Sequence, residues 1–464
     1  MTNEATAPIE KPCLPFPWHA LDGCLLLDLE VSPAGKILKI GAELDGKVFT
    51  GGSDCESRGS LEDLASFSTG ARLLVGHNIL DHDLWLLRDK YPGHALLQLP
   101  AVDTLLLSPI CFPESPYHRL VKDYKLVSES VNDPVADAKL AGILLQDEIA
   151  ALRALRETEL TLFDLLHFLL TETTDDQNAF GRGAEILFQS LGATRISRAD
   201  ALVFTRQLFA RWGCSSYLVD ESIFDGSTRM ALAYTVAWLR VAGATSVLPP
   251  WVRAQYPAVL RIIAGLRETP CTDPKCSYCS KYHNSRDQLR TFFGYDEFRS
   301  VPRNGQGGSL QQDIVEAGMR NGSLLAILPT SGGKSICFQL PALVRNFRRG
   351  ALTIVISPLQ SLMKDQVDGL SRRTGTPFAA ALYGLLTPPE RGDVLRRVRM
   401  GDIAILYVSP EQLRNRPLVM PSPNGKSPAG SLTKRTACRS GDTIFEMTIC
   451  TPDDSSASFQ RVTG

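Results

Sequence analysis

Short apolar runs separated by polar turns open the chain and alternate with segments of helical periodicity. Three of the runs predict β-strands, because each is bounded by turn residues and is too short for a helix: GCLLLDLEV, KILKIGAEL and ARLLVGHN. Two other stretches repeat apolar residues at helical spacing: DHDLWLLRDKY and ADAKLAGILLQDEIAALRALRE. This alternation predicts an α/β domain over residues 18–150.

The pattern changes three more times along the chain. Ala- and Leu-rich helical runs predict a helical spacer over 155–266, and a cysteine-rich knot follows over 267–290. Apolar strands alternate with helical segments again over 291–415, as in a parallel sheet. Residues 416–464 are rich in Ser, Thr, Pro and Gly without a sustained period, which predicts an aberrant, disordered tail. The expected fold is therefore an α/β multidomain protein.

Composition and charge restrict the function only weakly. The 464 residues are 44% hydrophobic and 21% charged, which is ordinary for a soluble protein. We expect a cytoplasmic location and no membrane association, because no apolar run is long enough to span a bilayer and the first residues lack the order of a secretory signal. The formal net charge is −1, so any DNA-binding basic surface must be local.

Four carboxylates in the first domain lie on separate predicted elements. Asp28 and Glu30 follow a buried strand and are two residues apart, so they project from the same face of the strand end. Asp83 lies in the following helical turn, where Asp81 is a rival candidate, and Asp137 opens the last helix. This set could hold two Mg²⁺ ions for the cleavage of phosphodiesters. Each carboxylate alone is more typical of a cap or turn.

The order Asp-Leu-Glu, Gly-His-Asn-x4-Asp-Leu and Asn-Asp-Pro-Val-Ala-Asp-Ala resembles the DnaQ-like DEDD exonucleases of ribonuclease H-like fold. The resemblance implies a 3′–5′ exonuclease in which a His or Tyr just before the last Asp deprotonates the attacking water. Asn132 stands there, followed by Asp133, and an amide has no titratable base near neutral pH. Weak activity is therefore expected, and His118 is an alternative base.

A phosphate loop follows the apolar strand LLAI and opens an amphipathic helix, which is the context that such a loop requires. Its glycines let backbone N–H groups approach the phosphates of ATP at a helix N-terminus. Lys334 is expected to bind the β- and γ-phosphates, and the Ser335 hydroxyl is expected to bind Mg²⁺. The other predicted ATP-binding residues of the loop are Thr330, Ser331, Gly332 and Gly333.

The run LPTSGGKSICFQLPAL resembles the RecQ group of superfamily-two DNA helicases, which implies an incomplete RecA-like domain that binds ATP and single-stranded or branched DNA. The resemblance implies that Phe293, Arg299 and Gln311 contact the adenine of ATP. Gln312 is an alternative to Gln311. Two further motifs, at the ends of later strands, resemble the family's DNA-gripping segments. They supply the predicted DNA-binding residues Ser357, Gln360, Ser361, Lys364, Gln366, Ser409 and Glu411.

The family's Asp-Glu-Ala-His motif, whose carboxylates position the metal and the attacking water, does not occur in this sequence. ATP turnover and unwinding by this chain alone are therefore not expected. The change of character after Asn415 suggests a truncated or frame-shifted product of a longer gene. The leading hypothesis is a 3′–5′ RecQ-like helicase fragment fused to an exonuclease, acting in DNA repair or recombination. Its alternatives are an inactive DNA-binding protein and an interaction scaffold.

Three cysteines and a histidine lie within thirteen residues of the knot, at Cys271, Cys276, Cys279 and His283. Three thiolates and one imidazole make a closed tetrahedral set for structural Zn²⁺, and Cys-x2-Cys is the usual spacing of a zinc knuckle. A disulfide would leave one of the three cysteines unpaired. The knot therefore predicts a structural zinc site, while the other eight cysteines of the chain are read as scattered reduced thiols.

Overall fold

A computed structural model describes residues 22–32, 34–51, 58–114, 133–171, 178–242, 248–320, 323–329, 332–414 and 459–461. The chain divides into two compact units, which are described separately. The first comprises residues within 1–105, 120–150 and 173–187, and the second comprises residues within 106–119, 151–172 and 188–464.

A five-stranded sheet forms the first unit, with the strand order β3-β2-β1-β4-β5. The first three strands are antiparallel, whereas β4 and β5 run parallel to β1. The strands are β1 (Cys24–Val31), β2 (Ile37–Leu44), β3 (Lys47–Gly51), β4 (Leu73–Gly76) and β5 (Ala101–Asp103). The three strands that the sequence predicts in this unit are confirmed as β1, β2 and β4.

Helices complete the first unit around a core of Leu, Ile and Ala side chains from β1, β2, β4 and α2. The helices are α1 (Arg58–Phe67), α2 (Asp83–Lys90), the start of α3 (Thr104–Cys111), the first part of α4 (Pro134–Thr158) and most of α6 (Ala179–Ser190). Gly183 of α6 lies where a Cβ would overlap the backbone of Ala101, so its lack of a side chain permits this close packing.

The second unit begins with helices, as the sequence predicts. They are α5 (Leu160–Thr171), α7 (Arg198–Trp212), α8 (Gly226–Val241), α9 (Pro250–Gln255) and α10 (Ala258–Arg267). Helix α8 is buried along nine consecutive residues from Ala231 to Leu239, so it forms the centre of this helical part. The C-terminal end of α7 packs on α10, and Gly213 lies where a Cβ would overlap Leu266.

The rest of the second unit is α/β. Its elements are α11 (Ser277–Tyr282), α12 (Ser285–Phe293), α13 (Leu310–Met319), β6 (Ser323–Leu325), α14 (Lys334–Arg349), β7 (Thr353–Ile356), α15 (Gln360–Thr374), β8 (Ala379–Leu382), α16 (Pro388–Met400) and β9 (Ile405–Val408). Strands β7, β9 and β8 form a parallel sheet in that order. Strand β6 pairs in parallel with β10 (Phe459–Arg461).

The structure confirms helices or strands where the hydrophobic pattern predicts them, and among the described residues it adds the strands β3, β5, β8 and β10. These four strands have only three to five residues each. Among the described residues, no helix combines the length and the apolar character that crossing a membrane requires. Most of the predicted tail, together with Thr330, Ser331, His118 and Asn132, lies outside the described residues.

Candidate functional sites

Strand β1 carries the first two predicted carboxylates on one face. Leu27 and Leu29 of the same strand are buried in the core, so the alternation of a strand turns Asp28 and Glu30 to the opposite face. Both acidic side chains are half-buried. The spacing of two residues therefore places the carboxylates side by side, as the sequence predicts.

Helix α4 brings the third carboxylate to this face. Oxygen atoms of Asp28, Glu30 and Asp137 lie within 4.8 Å of one another. Gly41 of β2, which pairs with Asp28 in register, lies where a Cβ would overlap the backbone of Pro134. The absence of a side chain at Gly41 lets the first turn of α4 approach the sheet closely enough to bring Asp137 to the site.

Asp83 is the fourth predicted carboxylate and is almost fully buried. Its Oδ1 accepts a hydrogen bond of 2.8 Å from the backbone N–H of Leu29, between the two acidic residues of β1. The Nδ1 atom of His82 lies 3.5 Å from the same oxygen. Asp83 is thus fixed against β1, whereas its rival Asp81 is exposed in the preceding turn.

Burial disfavours the ionised forms of Asp28 and Asp83, and neighbouring negative charge adds to this effect at Asp28. Burial, followed by the negative charges of Asp83, Asp137 and Glu30, raises the pKa of Asp28 to about 7. Burial also raises the pKa of Asp83, against the opposing effect of its hydrogen bond with His82. Like charges held this close favour protonation or a bound cation. Oxygen donors in such a cluster suit a hard divalent cation, so these residues fit Mg²⁺.

The raised pKa of Asp28 predicts how the metal-free protein responds to pH. The folded state keeps a proton on Asp28 up to about pH 7, whereas the unfolded chain releases it near the ordinary value of 3.8. The contribution of this proton to the free energy of unfolding is present in full below about pH 4 and is lost as pH rises to about 7. Amide hydrogen exchange of β1, corrected for intrinsic rates, should therefore accelerate over this range.

Asp28→Asn is the matched control for this pH experiment. Without the carboxylate, the opening free energy of β1 should depend less on pH than in the unsubstituted chain, and added Mg²⁺ should protect β1 only when Asp28 is present. An identical pH dependence in both proteins would contradict the assignment of the shift to Asp28.

Asp103 is a structural residue that the sequence reasoning did not single out. Its buried carboxylate accepts hydrogen bonds from the N–H groups of Asn78, Leu80 and Leu105, at 2.8, 3.1 and 2.9 Å. It thereby fixes the loop after β4, which leads into α2 and Asp83. Asp133 accepts hydrogen bonds from the backbone N–H groups of Val135 and Ala136. These bonds cap the start of α4, which gives the Asp133 carboxylate a structural role.

The described part of the phosphate loop has the expected strand, loop and helix order in the second unit. Gly333 precedes α14 with a left-handed backbone (φ 77°), and Lys334 and Ser335 form the first turn of that helix. The N–H groups of a helix's first turn lack intrahelical partners, so this end favours an anion. A small cavity beside the loop is lined by Lys334, Ser335, Phe338, Val355, Ser357, Leu362, Met363, Gln366 and Tyr407.

Gln311 contacts the phosphate loop directly. Its Nε2 donates to the Gly333 carbonyl at 3.0 Å, and its Oε1 accepts from the backbone N–H of Arg299 at 2.9 Å. Gln312 instead donates to Glu316 within its own helix. Of the two glutamines, Gln311 is therefore the one that contacts the phosphate loop. Arg299 lies beside the same glycine, Gly333.

Phe293, which is predicted to contact the adenine, is buried in the core with Leu289 and Phe298. The helix ends at Gly294 in a left-handed conformation, and the next residue, Tyr295, is 46% exposed. Tyr295 is therefore the more accessible aromatic side chain of the Phe293-Gly294-Tyr295 run.

The predicted DNA-binding residues divide into exposed and buried groups. Ser361 and Lys364 of α15 and Glu411 are exposed, and Gln360 and Gln366 are partly exposed. Ser357 and Ser409 are buried, so they do not present their hydroxyls to a DNA backbone in this structure. Ser409 instead donates to Glu411 at 2.6 Å, which shapes the loop after β9.

A buried hydrogen-bond network connects the phosphate-loop helix to the exposed helix α15. Gln339 of α14 is fully buried, and its Nε2 donates to Gln366 Oε1 at 3.0 Å and to the Tyr407 hydroxyl at 3.1 Å. The three residues belong to α14, α15 and β9. Buried polar networks hold their members in a fixed arrangement. The network therefore links α14, α15 and β9 through buried hydrogen bonds.

The cysteine cluster differs from the predicted ligand set. The sulfur atoms of Cys271, Cys276 and Cys279 lie within 4.8 Å of one another together with that of Cys214, while His283 is not part of the group. His283 is the C-terminal cap of α11, four residues and about 6 Å along the helix axis beyond Cys279. The structure thus groups Cys214, rather than the predicted His283, with the three cysteines of the knot.

Comparisons with known proteins identify one part of the chain. Residues 309–425 match the DEAD/DEAH box helicase family. We call this range the helicase segment. It contains the phosphate loop, the cavity beside it and the exposed helix α15.

Named relatives support the same assignment. The chain is 42% identical to the ATP-dependent DNA helicase RecQ of Synechocystis over 132 residues, which are 28% of this chain and 24% of that protein. It is 39% identical to the probable ATP-dependent DNA helicase RecS of Bacillus subtilis over 127 residues, 27% and 22% of the two chains. It is 47% identical to the mouse ATP-dependent DNA helicase Q4 over 91 residues, which are 20% of this chain and 7% of that protein. The chain thus spans about a quarter or less of these relatives.

Proposed function

We propose that this chain is an ATP-binding, DNA-binding protein of the RecQ-like superfamily-two helicase type. The observation that carries the proposal is the direct bond from Gln311 to the phosphate loop at Gly333, within the segment that matches the helicase family. The relatives' names give ATP-dependent DNA helicases, which supports DNA as the polymer bound. The proposed strand polarity, 3′–5′, and a role in DNA repair or recombination rest on the sequence resemblance.

ATP binding is assigned to the phosphate loop and its neighbours. The first turn of α14 presents N–H groups to the phosphates, Lys334 pairs with the β- and γ-phosphates, and the Ser335 hydroxyl is a ligand for Mg²⁺. Arg299, whose backbone N–H donates to Gln311, is assigned with Gln311 and Tyr295 to the recognition of the adenine. Mg²⁺ would neutralise phosphate charge when it is bound.

DNA binding is assigned to the exposed side of α15. Lys364 is exposed near the start of this helix, next to Ser361, so it can pair with a backbone phosphate. The network of Gln339, Gln366 and Tyr407 would transmit changes at the phosphate loop to this helix. Nucleotide binding and DNA binding should therefore influence each other.

DNA affinity as a function of salt tests this assignment. Lys364→Ala should weaken the binding of labelled single-stranded DNA and reduce the slope of log K against log salt by about one unit, because one phosphate contact is lost. Fluorescence anisotropy with the full chain measures both quantities. Arg372→Ala, which removes an exposed charge at the other end of α15, should leave the slope unchanged. An unaltered slope for Lys364→Ala would contradict the assignment.

We further propose that the first unit is a DnaQ-like exonuclease module of ribonuclease H-like type. Its mixed sheet and the approach of Asp28, Glu30 and Asp137 within 4.8 Å support this reading, and Asp83 lies against the same strand. Two Mg²⁺ ions would polarise the scissile phosphate and activate water when they are bound. The carboxylates would hold the ions and orient the 3′ end of the DNA beside them.

A second candidate for the first unit is a DNA-binding module without nuclease activity. The observation that favours it is Asn132 in the position of the general base, because a base contributes on the order of 10²–10⁴ in rate. Asp133, the adjacent carboxylate, is engaged as the cap of α4. Magnesium-dependent release of nucleotides separates the two candidates. We also propose Zn²⁺ at the cysteine cluster, with the ligands argued below.

A further inference from the structure

Four cysteines from distant parts of the sequence meet in the second unit. Cys214 follows the C-terminal end of α7, Cys271 and Cys276 lie between α10 and α11, and Cys279 lies within α11. All four sulfur atoms lie within 4.8 Å of one another, and three of the side chains are buried. The backbone N–H of Cys271 donates to the Cys279 sulfur at 3.4 Å. Such N–H···S bonds stabilise a sulfur that carries negative charge.

We propose that these four thiolates bind one structural zinc ion, with Cys214 as the fourth ligand. A tetrahedral ion with Zn–S bonds of about 2.3 Å places its sulfurs roughly 3.8 Å apart, which lies within the observed limit. Four sulfur donors are one of the usual ligand sets of structural zinc sites, and they leave no open position for substrate. The site is separate from both proposed activities.

Disulfides explain the cluster less well than a metal does. The four cysteines are free thiols in the structure, and every sulfur is close to all three others rather than to a single partner. Two disulfides would draw the sulfurs into two bonded pairs of about 2.05 Å. One ion instead requires the mutual closeness that is observed.

His283 already has a different environment. Its ring hydrogen-bonds the backbone of Arg267, and burial followed by the charge of Arg348 lowers its pKa to about 4. The ring also meets the edge of Tyr278, with centroids 6.1 Å apart. This imidazole packs beside the cluster, and the proposal assigns it no bond to the ion.

The zinc ion would add a further connection between parts of the second unit that hydrogen bonds already join. The N–H of Cys214 donates to Leu266 at the end of α10, and Arg267 donates to Trp212 at the end of α7. Arg348, in the last turn of α14, donates to the carbonyl of Tyr282. The helix that begins at the phosphate loop therefore ends on the cysteine knot, and the ion would fix the helical part to the helicase segment.

Metal content of single-residue variants tests the proposal. The full chain, purified without added metal, should contain about one zinc ion per molecule by plasma mass spectrometry. Cys214→Ser should lose most of that zinc, whereas His283→Ala should retain it. Cys24→Ser, which removes a buried cysteine of the first unit, is the matched control and should also retain it. Zinc retained by Cys214→Ser but lost by His283→Ala would overturn the proposal.

Substitution of Co²⁺ for zinc in the unaltered chain covers the case in which Cys214→Ser does not fold. The intensity of the sulfur-to-cobalt charge-transfer band grows with the number of thiolates, so four thiolates and three thiolates plus imidazole give different spectra. We expect the four-thiolate spectrum, unchanged in His283→Ala. A three-thiolate spectrum, or a mass of the metal-free chain four hydrogens below that of the reduced form, would overturn the proposal.

Discussion

Asp28→Asn should abolish the magnesium-dependent release of nucleotides from the 3′ end of single-stranded DNA. Asp28 faces Glu30 and Asp137 within 4.8 Å, and the charge of Asp83 also acts on it, so it is the carboxylate that the others surround. Replacing it with an amide keeps the shape but removes the charge that holds a divalent cation. A bound metal supplies several kcal/mol to such a reaction, so the expected loss is on the order of 10³-fold.

Asp81→Asn is the matched control for Asp28→Asn. Asp81 lies on the same loop as Asp83 but is exposed, and this substitution should leave nucleotide release unchanged. The unsubstituted chain has Asn132 in the position of the general base, so its release of nucleotides is expected to be slow. The assay therefore needs long incubations with excess protein. Release that persists equally in Asp28→Asn would contradict the exonuclease proposal. DNA binding without any release in the unsubstituted chain would favour the second candidate.

Lys334→Ala should weaken ATP binding by about 10²-fold. Hydrogen bonds to charged groups contribute about 1.5–3 kcal/mol each, and Lys334 is placed in the first turn of α14 to contact two phosphates. A fluorescent ATP analogue titrated into the full chain measures the dissociation constant. The helix and its burial pattern should persist, because Lys334 lies at the helix end and Phe338, Leu340 and Leu343 provide its packing.

Lys364→Ala serves as the control for ATP binding. This lysine is exposed on α15 and is assigned to DNA, so its loss should weaken DNA binding while the affinity for the ATP analogue stays within twofold or so of the original, about 0.4 kcal/mol. Equal ATP affinity in Lys334→Ala and the unsubstituted chain would contradict the assignment of the phosphate loop.

Local sequence was sufficient to predict the elements that carry the sites. The apolar run before Asp28 and the run before the phosphate loop both predict strands, and they appear as β1 and β6. The spacing of two residues between Asp28 and Glu30 fixes their common face through the geometry of a strand. Cys276 and Cys279 meet because three residues make about one helical turn.

Local sequence does not predict features that depend on burial or on a distant partner. An aromatic residue at Phe293 looks the same in sequence whether it stacks on a base or fills a core, and only packing shows that it is buried while Tyr295 is exposed. Ser357 and Ser409 are predicted to bind DNA because their motifs resemble those of the helicase family, yet both side chains are buried in the structure. The periodicity of apolar residues within a strand does not show whether the residues that follow the strand are exposed or buried.

The sequence by itself determined the chemistry available to this protein: a phosphate loop, four ordered carboxylates and a pair of closely spaced cysteines. Each follows from residue type and short spacing, which backbone geometry converts directly into position. Only the tertiary structure decided that Cys214 joins the cysteine cluster and that Gln311 contacts Gly333. It also decided that α4 packs closely on Gly41, which brings Asp137 to the other carboxylates. These contacts join residues far apart in the chain, and packing of whole helices and strands brings them together.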